Sequence, residues 1–226
     1  MNNQNSFRQL TLPVSWEFSC KPDDFIITKC NEYAYRWLEK WPFSIDENFV
    51  CLVGEHGSGK SHMSKIWAYR LGADIIDAEN DIVFDKWFDM SNNDNNQKYF
   101  VLENADSIKD DIILFYIYNT IKEKSAYLLI TAKTPPSLWN IKLKDTISRL
   151  KTISVININQ PDEESFSQII KKVLVRRGFN PQDNVIQYIS NNIERTYESI
   201  DSYVKKLDTN LSSKDKLTIS NIKNIA

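Results

Sequence analysis

A glycine-rich segment near residue 57 constrains the fold more than any other feature of this chain. Residues 54–61 read GEHGSGKS, and three of the chain's five glycines lie among them. An apolar run, 49–53, precedes the segment, and a helix is predicted from 62 to 71. A strand, a tight glycine turn and a helix in this order are typical of a phosphate-binding loop. We therefore expect a parallel α/β sheet with a phosphate site at the end of one strand.

The residue types of this loop indicate its chemistry. Small residues let the backbone curl so that several N–H groups point at phosphate oxygens, and the following helix adds the positive end of its dipole. Lys60 is expected to reach the terminal phosphates, and Ser61 to bind Mg²⁺. The alternative is an ordinary glycine turn before a helix. The residues expected to surround the phosphates are Gly54, Gly57, Ser58 and Gly59.

Composition and charge exclude several classes of protein. The net charge of −2 argues against a surface dedicated to nucleic acid. The three cysteines, Cys20, Cys30 and Cys51, form no C-x-x-C pair, so neither structural zinc nor a disulfide framework is expected. No apolar run approaches the length of a membrane span, and residues 1–6 do not resemble a signal peptide. We expect a cytoplasmic protein with no membrane partner.

The rest of the chain alternates strands with helices and then becomes purely helical. Four further strands are predicted at 73–77, 99–102, 126–131 and 153–158, with a solvated loop at 91–97. After Pro161 the pattern predicts helices at 162–177, 182–192, 195–207 and 219–225. The expected organisation is a flexible tail at 1–20, an α/β nucleotide-binding subdomain at 21–159 and a small all-α lid at 160–226.

The predicted third strand ends at Glu103, which is followed by Asn104. A hydrolytic phosphate-loop enzyme places two acidic residues there, one for Mg²⁺ and one to orient water. Glu103 is a candidate Mg²⁺ ligand beside Ser61, whereas the amide of Asn104 cannot act as a base. The sequence thus favours nucleotide binding over nucleotide cleavage. The alternative for Glu103 is a surface residue that only ends the strand.

These motifs resemble the DnaA/Hda family of AAA+ proteins, which includes the bacterial replication initiator DnaA. Residues 54–63 are similar to its G-x-x-G-x-G-K-T/S-H-L loop, including His62. Residues 24–34 resemble its adenine-side box, residues 126–136 its sensor I segment and residues 148–150 its arginine-finger box. The resemblance covers about residues 21–226. It implies a P-loop AAA+ sheet with flanking helices, a helical lid, and ADP or ATP with Mg²⁺ as cofactors.

A short segment of the tail, residues 9–13, reads QLTLP. It resembles the peptide that docks on the sliding clamp, the β subunit of DNA polymerase III. Apolar anchors in a pocket are where the affinity of short peptides concentrates. The alternative is an ordinary edge segment. The predicted clamp-binding residues are Gln9, Leu10, Leu12 and Pro13.

The resemblance implies a regulator that acts on a partner. Bound to the clamp, it would promote hydrolysis of the ATP on DnaA by placing Arg149 in trans on that ATP. The chain ends directly after the lid, where the initiator continues into a DNA-binding domain, so DNA contact is expected to be indirect. Both a monomer and a homodimer are compatible with the sequence.

Three departures from the family pattern argue against efficient ATP hydrolysis by this chain. They are Asn104, Lys133 in the sensor I segment, and Glu198 in the lid motif RTYE, where the initiator carries an arginine. An acidic side chain at 198 would repel a γ-phosphate and favour ADP. Arg195, in the neighbouring turn, is the predicted substitute for nucleotide binding. The alternatives are an autonomous DnaA-like or loader-like ATPase, and a protein that binds DNA directly.

Overall fold

The computed structural model describes residues 25–79, 82–93, 97–210 and 217–223. The predicted tail and its clamp motif, with Gln9, Leu10, Leu12 and Pro13, lie outside the described residues, so their role stays a prediction.

A parallel sheet forms the centre of the described part of the chain. Its five strands lie in the order β2-β3-β4-β1-β5. Every residue of β1 is buried, which explains why its sequence is continuously apolar rather than alternating. Because β1 lies between β4 and β5, the loop that follows its carboxyl end has a strand on either side of it. The strands are β1 (Phe49–Val53), β2 (Asp74–Asp77), β3 (Tyr99–Glu103), β4 (Tyr127–Ala132) and β5 (Ser154–Asn157).

Helices cover both faces of this sheet. Alternate residues of β1 point to opposite faces, so Val50 and Leu52 pack with α1 and α2, while Cys51 and Val53 pack with α3 and α4. The predicted α/β sheet with flanking helices is therefore confirmed. The flanking helices are α1 (Glu32–Lys40), α2 (Lys60–Leu71), α3 (Val83–Asn93), α4 (Asp111–Glu123) and α5 (Lys144–Leu150).

The prediction of a loop over 91–97 is wrong at its start. Helix α3 continues to Asn93, because Trp87 is buried and packs 5.1 Å from the Phe100 ring, which fixes the helix against the sheet. A helix anchored in this way extends through polar residues that would not begin one.

The remaining helices pack together around a core of their own. Phe166, Ile189 and Leu207 are buried in this cluster, and Ile26 joins them from the segment that precedes α1. The helix α6 is capped by the carboxylate of Asp162, which accepts a bond from the Ser165 N–H at 2.8 Å. These helices are α6 (Glu163–Arg176), α7 (Asp183–Asn192), α8 (Tyr197–Asn210) and α9 (Ile219–Ile222). Across the described ranges, none of the helices combines the length and apolar character that crossing a bilayer would require.

Candidate nucleotide-binding site

The loop between β1 and α2 has the backbone that an anion site requires. Gly57 and Gly59 have φ values of 70° and 95°, in the left-handed region that favours glycine. Gly59 is the residue immediately before α2, so the free N–H groups of that helix begin at the loop. Gly54 is needed for another reason. A Cβ built there would lie 2.5 Å from the carbonyl oxygen of Ile158.

A cavity of about 660 Å³ lies between this loop, the ends of the strands and α8. Four lysines line it together with three carboxylates, so the cavity suits an anionic ligand. Of the predicted phosphate-site residues, Gly57, Gly59, Lys60, Ser61 and His62 line the cavity, whereas Gly54, Ser58 and Arg195 do not. The charged lining residues are Lys60, Lys65, Lys133, Lys205, Glu79, Glu198 and Asp201.

Lys60 is held inside the loop. Its ammonium donates to the carbonyl oxygens of Gly54 at 2.6 Å and Glu55 at 2.9 Å, and the residue is only 7% exposed. Burial lowers the pKa of this ammonium, and the nearby Asp106 partly opposes that effect. A phosphate bound at the loop would stabilise the charged form, because charge-assisted bonds are stronger than those to carbonyls.

Glu103 and Ser61 lie together beside the cavity. Glu103 is 5% exposed and accepts a hydrogen bond from the Ser64 hydroxyl, and the Ser61 hydroxyl also interacts with it. Burial raises the pKa of the Glu103 carboxyl. Glu103 is therefore buried, and the alternative of an exposed residue that only ends the strand is wrong.

This pair fits Mg²⁺ held together with a phosphate chain. In the part of the chain that the structure describes, no group of three or more His, Cys, Asp or Glu side chains could hold a metal alone. Mg²⁺ commonly takes one or two protein oxygens and completes its shell with phosphate oxygens and water. Ser61 and Glu103 would supply those protein oxygens.

Asp77 is a site residue that the sequence reasoning missed. It ends β2 in register with Glu103, and its carboxylate accepts a hydrogen bond from the Asn104 amide at 2.9 Å. The Asn104 backbone has a φ of 55°, and its N–H donates to the Thr131 hydroxyl at 3.1 Å. An acid at the end of the predicted second strand was visible in the sequence, but only the pairing of β2 with β3 brings it beside Glu103.

The two charged lid residues point in different directions. Glu198 lines the cavity, and its carboxylate is 3.5 Å from the Nε2 atom of His56. Arg195 lies just before α8 and pairs with Glu163 of α6 at 3.3 Å. Its predicted contact with nucleotide stays a prediction, and it would require this exposed ion pair to open.

Arg149 lies on α5, outside the lining of the cavity. Its guanidinium donates to the side chain of Asn119 and stacks on two rings of α4, 4.6 Å from the centre of Phe115 and 5.4 Å from that of Tyr118. These contacts hold an arginine in one orientation. The arrangement leaves its predicted role in trans untested.

The fold and the phosphate loop define a DnaA-like AAA+ architecture. Domain III of DnaA from Thermotoga maritima matches with a TM-score of 0.73 at 15% identity, covering 91% of this chain and 95% of that one. AMPPCP-bound DnaA from Aquifex aeolicus matches with a TM-score of 0.69 at 18% identity, covering 84% and 65%. The RuvB branch-migration motor of Thermotoga maritima matches with 0.70 at 14%, covering 92% and 71%. At these identities the likeness establishes the fold alone.

Sequence comparisons give weaker likenesses. No family model matches the chain. An uncharacterised protein of Haemophilus influenzae is 24% identical over 200 residues, which are 83% of this chain and 85% of that protein. The replication initiator DnaA of Flavobacterium psychrophilum is 26% identical over 96 residues. That alignment spans 42% of this chain but only 20% of the initiator.

Proposed function

We propose that this chain is a nucleotide-held adaptor that regulates replication initiation. Bound to the sliding clamp, it promotes hydrolysis of the ATP on DnaA by supplying Arg149 in trans. The observation that carries the proposal is a complete phosphate loop beside a strand end whose second polar residue is an amide, Asn104. Such a site is suited to retaining a nucleotide and poorly suited to cleaving one. In this role the chain would be similar to Hda, the DnaA-homologous regulator.

The cavity chemistry supports a ligand that is held rather than turned over. Asn104 is fixed by Asp77 and has no proton-accepting group with which to activate water. Glu198 brings a carboxylate to the lid side of the cavity, which disfavours a third phosphate more than a second. ADP with Mg²⁺ is therefore the proposed resident ligand, with Lys60 and the α2 N-terminus on the phosphates and Ser61 with Glu103 on the metal.

Arg149 supports the action on a partner because it is oriented before any partner binds. Its stacking on Phe115 and Tyr118 and its bond to Asn119 reduce the entropy lost when the guanidinium meets a phosphate. An arginine that stabilises charge on a transferring γ-phosphoryl group is worth about 10³–10⁵ in rate in other NTPases.

Reconstitution tests the proposal. The chain, its own organism's clamp loaded on DNA, and ATP-loaded DnaA are combined, and phosphate release from DnaA is measured. Arg149→Ala should reduce the stimulation by about 100-fold or more, and Arg149→Lys should restore little of it, because lysine lacks the planar fork. Arg36→Ala, on the exposed face of α1, is the matched control and should act like the natural chain.

The tail is tested in the same assay. Gln9→Ala should abolish clamp-dependent stimulation while nucleotide binding by the chain is unchanged. Full stimulation by Arg149→Ala would overturn the assignment of the arginine, and full stimulation by Gln9→Ala would overturn clamp dependence.

One observation favours a second function, an autonomous DnaA-like ATPase. Asp77 supplies a second carboxylate next to Glu103, at the edge of the sheet where a water-orienting acid is needed. Sustained ATP turnover by the isolated chain, lost in both Lys60→Ala and Asp77→Asn, would favour this function. A chain that binds ADP without turnover would favour the adaptor.

A further inference from the structure

We infer that this site selects its ligand by the phosphate chain and not by the base, because protein side chains fill the space on the predicted adenine side. The inference rests on the proposed nucleotide binding and defines the class of ligand as nucleoside diphosphates of any base, and pyrophosphate. It assigns to Tyr197, at the start of the lid helix α8, the role of closing that side.

Tyr197 lies directly over the phosphate loop. A Cβ built on Gly59 would be 3.0 Å from the Cε2 atom of the tyrosine ring, so the ring covers the glycine. The side chain is 7% exposed, and its hydroxyl accepts a hydrogen bond from the Asn31 amide at 3.1 Å. The backbone N–H of Tyr197 points at the Gly57 carbonyl at 3.4 Å. Tyr197 is thus held through its hydroxyl and its backbone N–H.

Thr196 closes the neighbouring position. A Cβ built on Gly57 would meet the Cβ of Thr196 at 2.5 Å and its Cγ2 at 2.6 Å, so the threonine is packed against the bare backbone of the loop. The lid therefore touches both glycines that have left-handed φ values in this loop. A nucleoside cannot take the positions that these two side chains hold against the glycines, and Tyr197 lines the cavity from this side.

Three residues of the predicted adenine-side box are buried. Phe25, Ile26 and Asn31 are each less than 9% exposed, and none of residues 25–34 lines the cavity. Ile26 is packed in the lid core, and the Phe25 ring stacks 5.4 Å from that of His62. The polar atoms of Asn31 are engaged by the Ile26 carbonyl, the Thr28 N–H and Tyr197. These three residues offer a base neither an open apolar face nor an unpaired polar side-chain atom.

The cavity also extends between α2 and α8. It is lined there by Lys65 of α2 and by Asp201 and Lys205 of α8, and the last two are paired at 2.7 Å. Base selectivity arises where a shaped pocket pairs the polar edge of one base and leaves the groups unpaired for another. Flexible charged side chains at an open edge do not provide this. The affinity must then come from the phosphates, through Lys60 and the N-terminus of α2.

Calorimetry with Mg²⁺ and three ligands, ADP, GDP and pyrophosphate, tests the inference. ADP and GDP should bind within about threefold of each other, and pyrophosphate within about tenfold of both. All three should be lost in Lys60→Ala. An ADP affinity more than about tenfold above that of GDP would overturn the inference and leave the proposed adaptor function standing. Failure of all three ligands to bind would overturn both.

Two substitutions test the role of Tyr197. Tyr197→Ala removes the ring that covers Gly59 and opens space for a base, so the ratio of nucleoside diphosphate affinity to pyrophosphate affinity should rise about tenfold above that of the natural chain. Tyr197→Phe keeps the ring and should keep the natural ratio, so the pair distinguishes the space that the ring fills from the hydrogen bond of its hydroxyl. An unchanged ratio in a folded Tyr197→Ala protein would overturn the assignment. If that variant does not fold, the affinities of the three ligands for the natural chain and for Tyr197→Phe still test the inference.

Discussion

Burial and charge oppose each other at Glu103. Its carboxyl is almost fully enclosed, burial raises its pKa, and the nearby charge of Asp77 acts in the same direction. The Ser64 and Ser61 hydroxyls only partly offset this effect. Between the ordinary pKa of 4.5 and the raised folded value, the folded chain binds more protons than the unfolded one. The free energy of unfolding must therefore fall as pH rises through that window.

Glu103→Gln should remove this pH dependence in the absence of Mg²⁺ and nucleotide. The amide has nearly the same shape and no charge to desolvate, so the variant should lose less stability than the natural chain as pH rises from about 4 to about 8. Urea unfolding at several pH values measures this. Glu123→Gln, on an exposed turn of α4, is the control. Parallel curves for the natural chain and Glu103→Gln would contradict the prediction.

At the scale of elements, the segment before α1 is tied to the lid through Asn31. This side chain is 2% exposed and makes hydrogen bonds to Ile26, Thr28 and the Tyr197 hydroxyl. The Ile26 side chain adds an apolar contact with α6–α9. The start of the α/β subdomain therefore packs against the lid. The predicted boundary at 159/160 separates these two regions along the chain, although they are in contact in the structure.

Asn31→Ala should destabilise the chain by about 2–3 kcal/mol, because it takes the side-chain partner from the buried Thr28 N–H and Ile26 carbonyl and removes a hydrogen bond to the Tyr197 hydroxyl. Tyr197→Phe removes one bond and should cost about 1 kcal/mol. Chemical denaturation gives both values, and hydrogen exchange should show faster opening of α8 in Asn31→Ala. Asn140→Ala, at an exposed position, should change stability by less than about 0.5 kcal/mol. An equally small loss of stability in Asn31→Ala would contradict the role of Asn31 in joining the segment before α1 to the lid.

At the scale of the whole molecule, the cavity joins two bodies with separate cores. The sheet has a core on each face, and the lid helices have a third. The phosphate loop belongs to the sheet, whereas Glu198, Asp201 and Lys205 come from α8. A ligand in this cavity contacts both bodies, so its binding energy adds to the stability of the whole chain rather than of one part.

ADP with Mg²⁺ at about 100 times its dissociation constant should therefore stabilise the chain by about 2.7 kcal/mol. For a chain of this size that corresponds to a rise of roughly 5–10 °C in the unfolding temperature. Differential scanning calorimetry measures the shift. Lys60→Ala should abolish it, and Lys172→Ala, on an exposed turn of the lid, should retain it. A shift that survives Lys60→Ala would place the ligand elsewhere.

Much of this architecture could be read from local patterns. The strand at 49–53 and the turn at 54–61 were identified because burial and glycine geometry leave their mark on consecutive residues. Glu103 was placed correctly at a strand end for the same reason. The end of α3 was misplaced, because packing of Trp87 overrides the weak helix preference of the residues after it.

Other features depend on residues that are distant along the chain and adjacent in space. Asn31 and Tyr197 are 166 positions apart, yet their hydrogen bond helps to close one side of the site. The bond from Asn104 to Asp77 likewise depends on β2 lying beside β3. Residue order thus specified the strands, the loop and the phosphate chemistry, since these are properties of neighbouring residues. Which strands pair depended on the assembly of the whole sheet, and what occupies the space beside the loop depended on the packing of the lid against that loop.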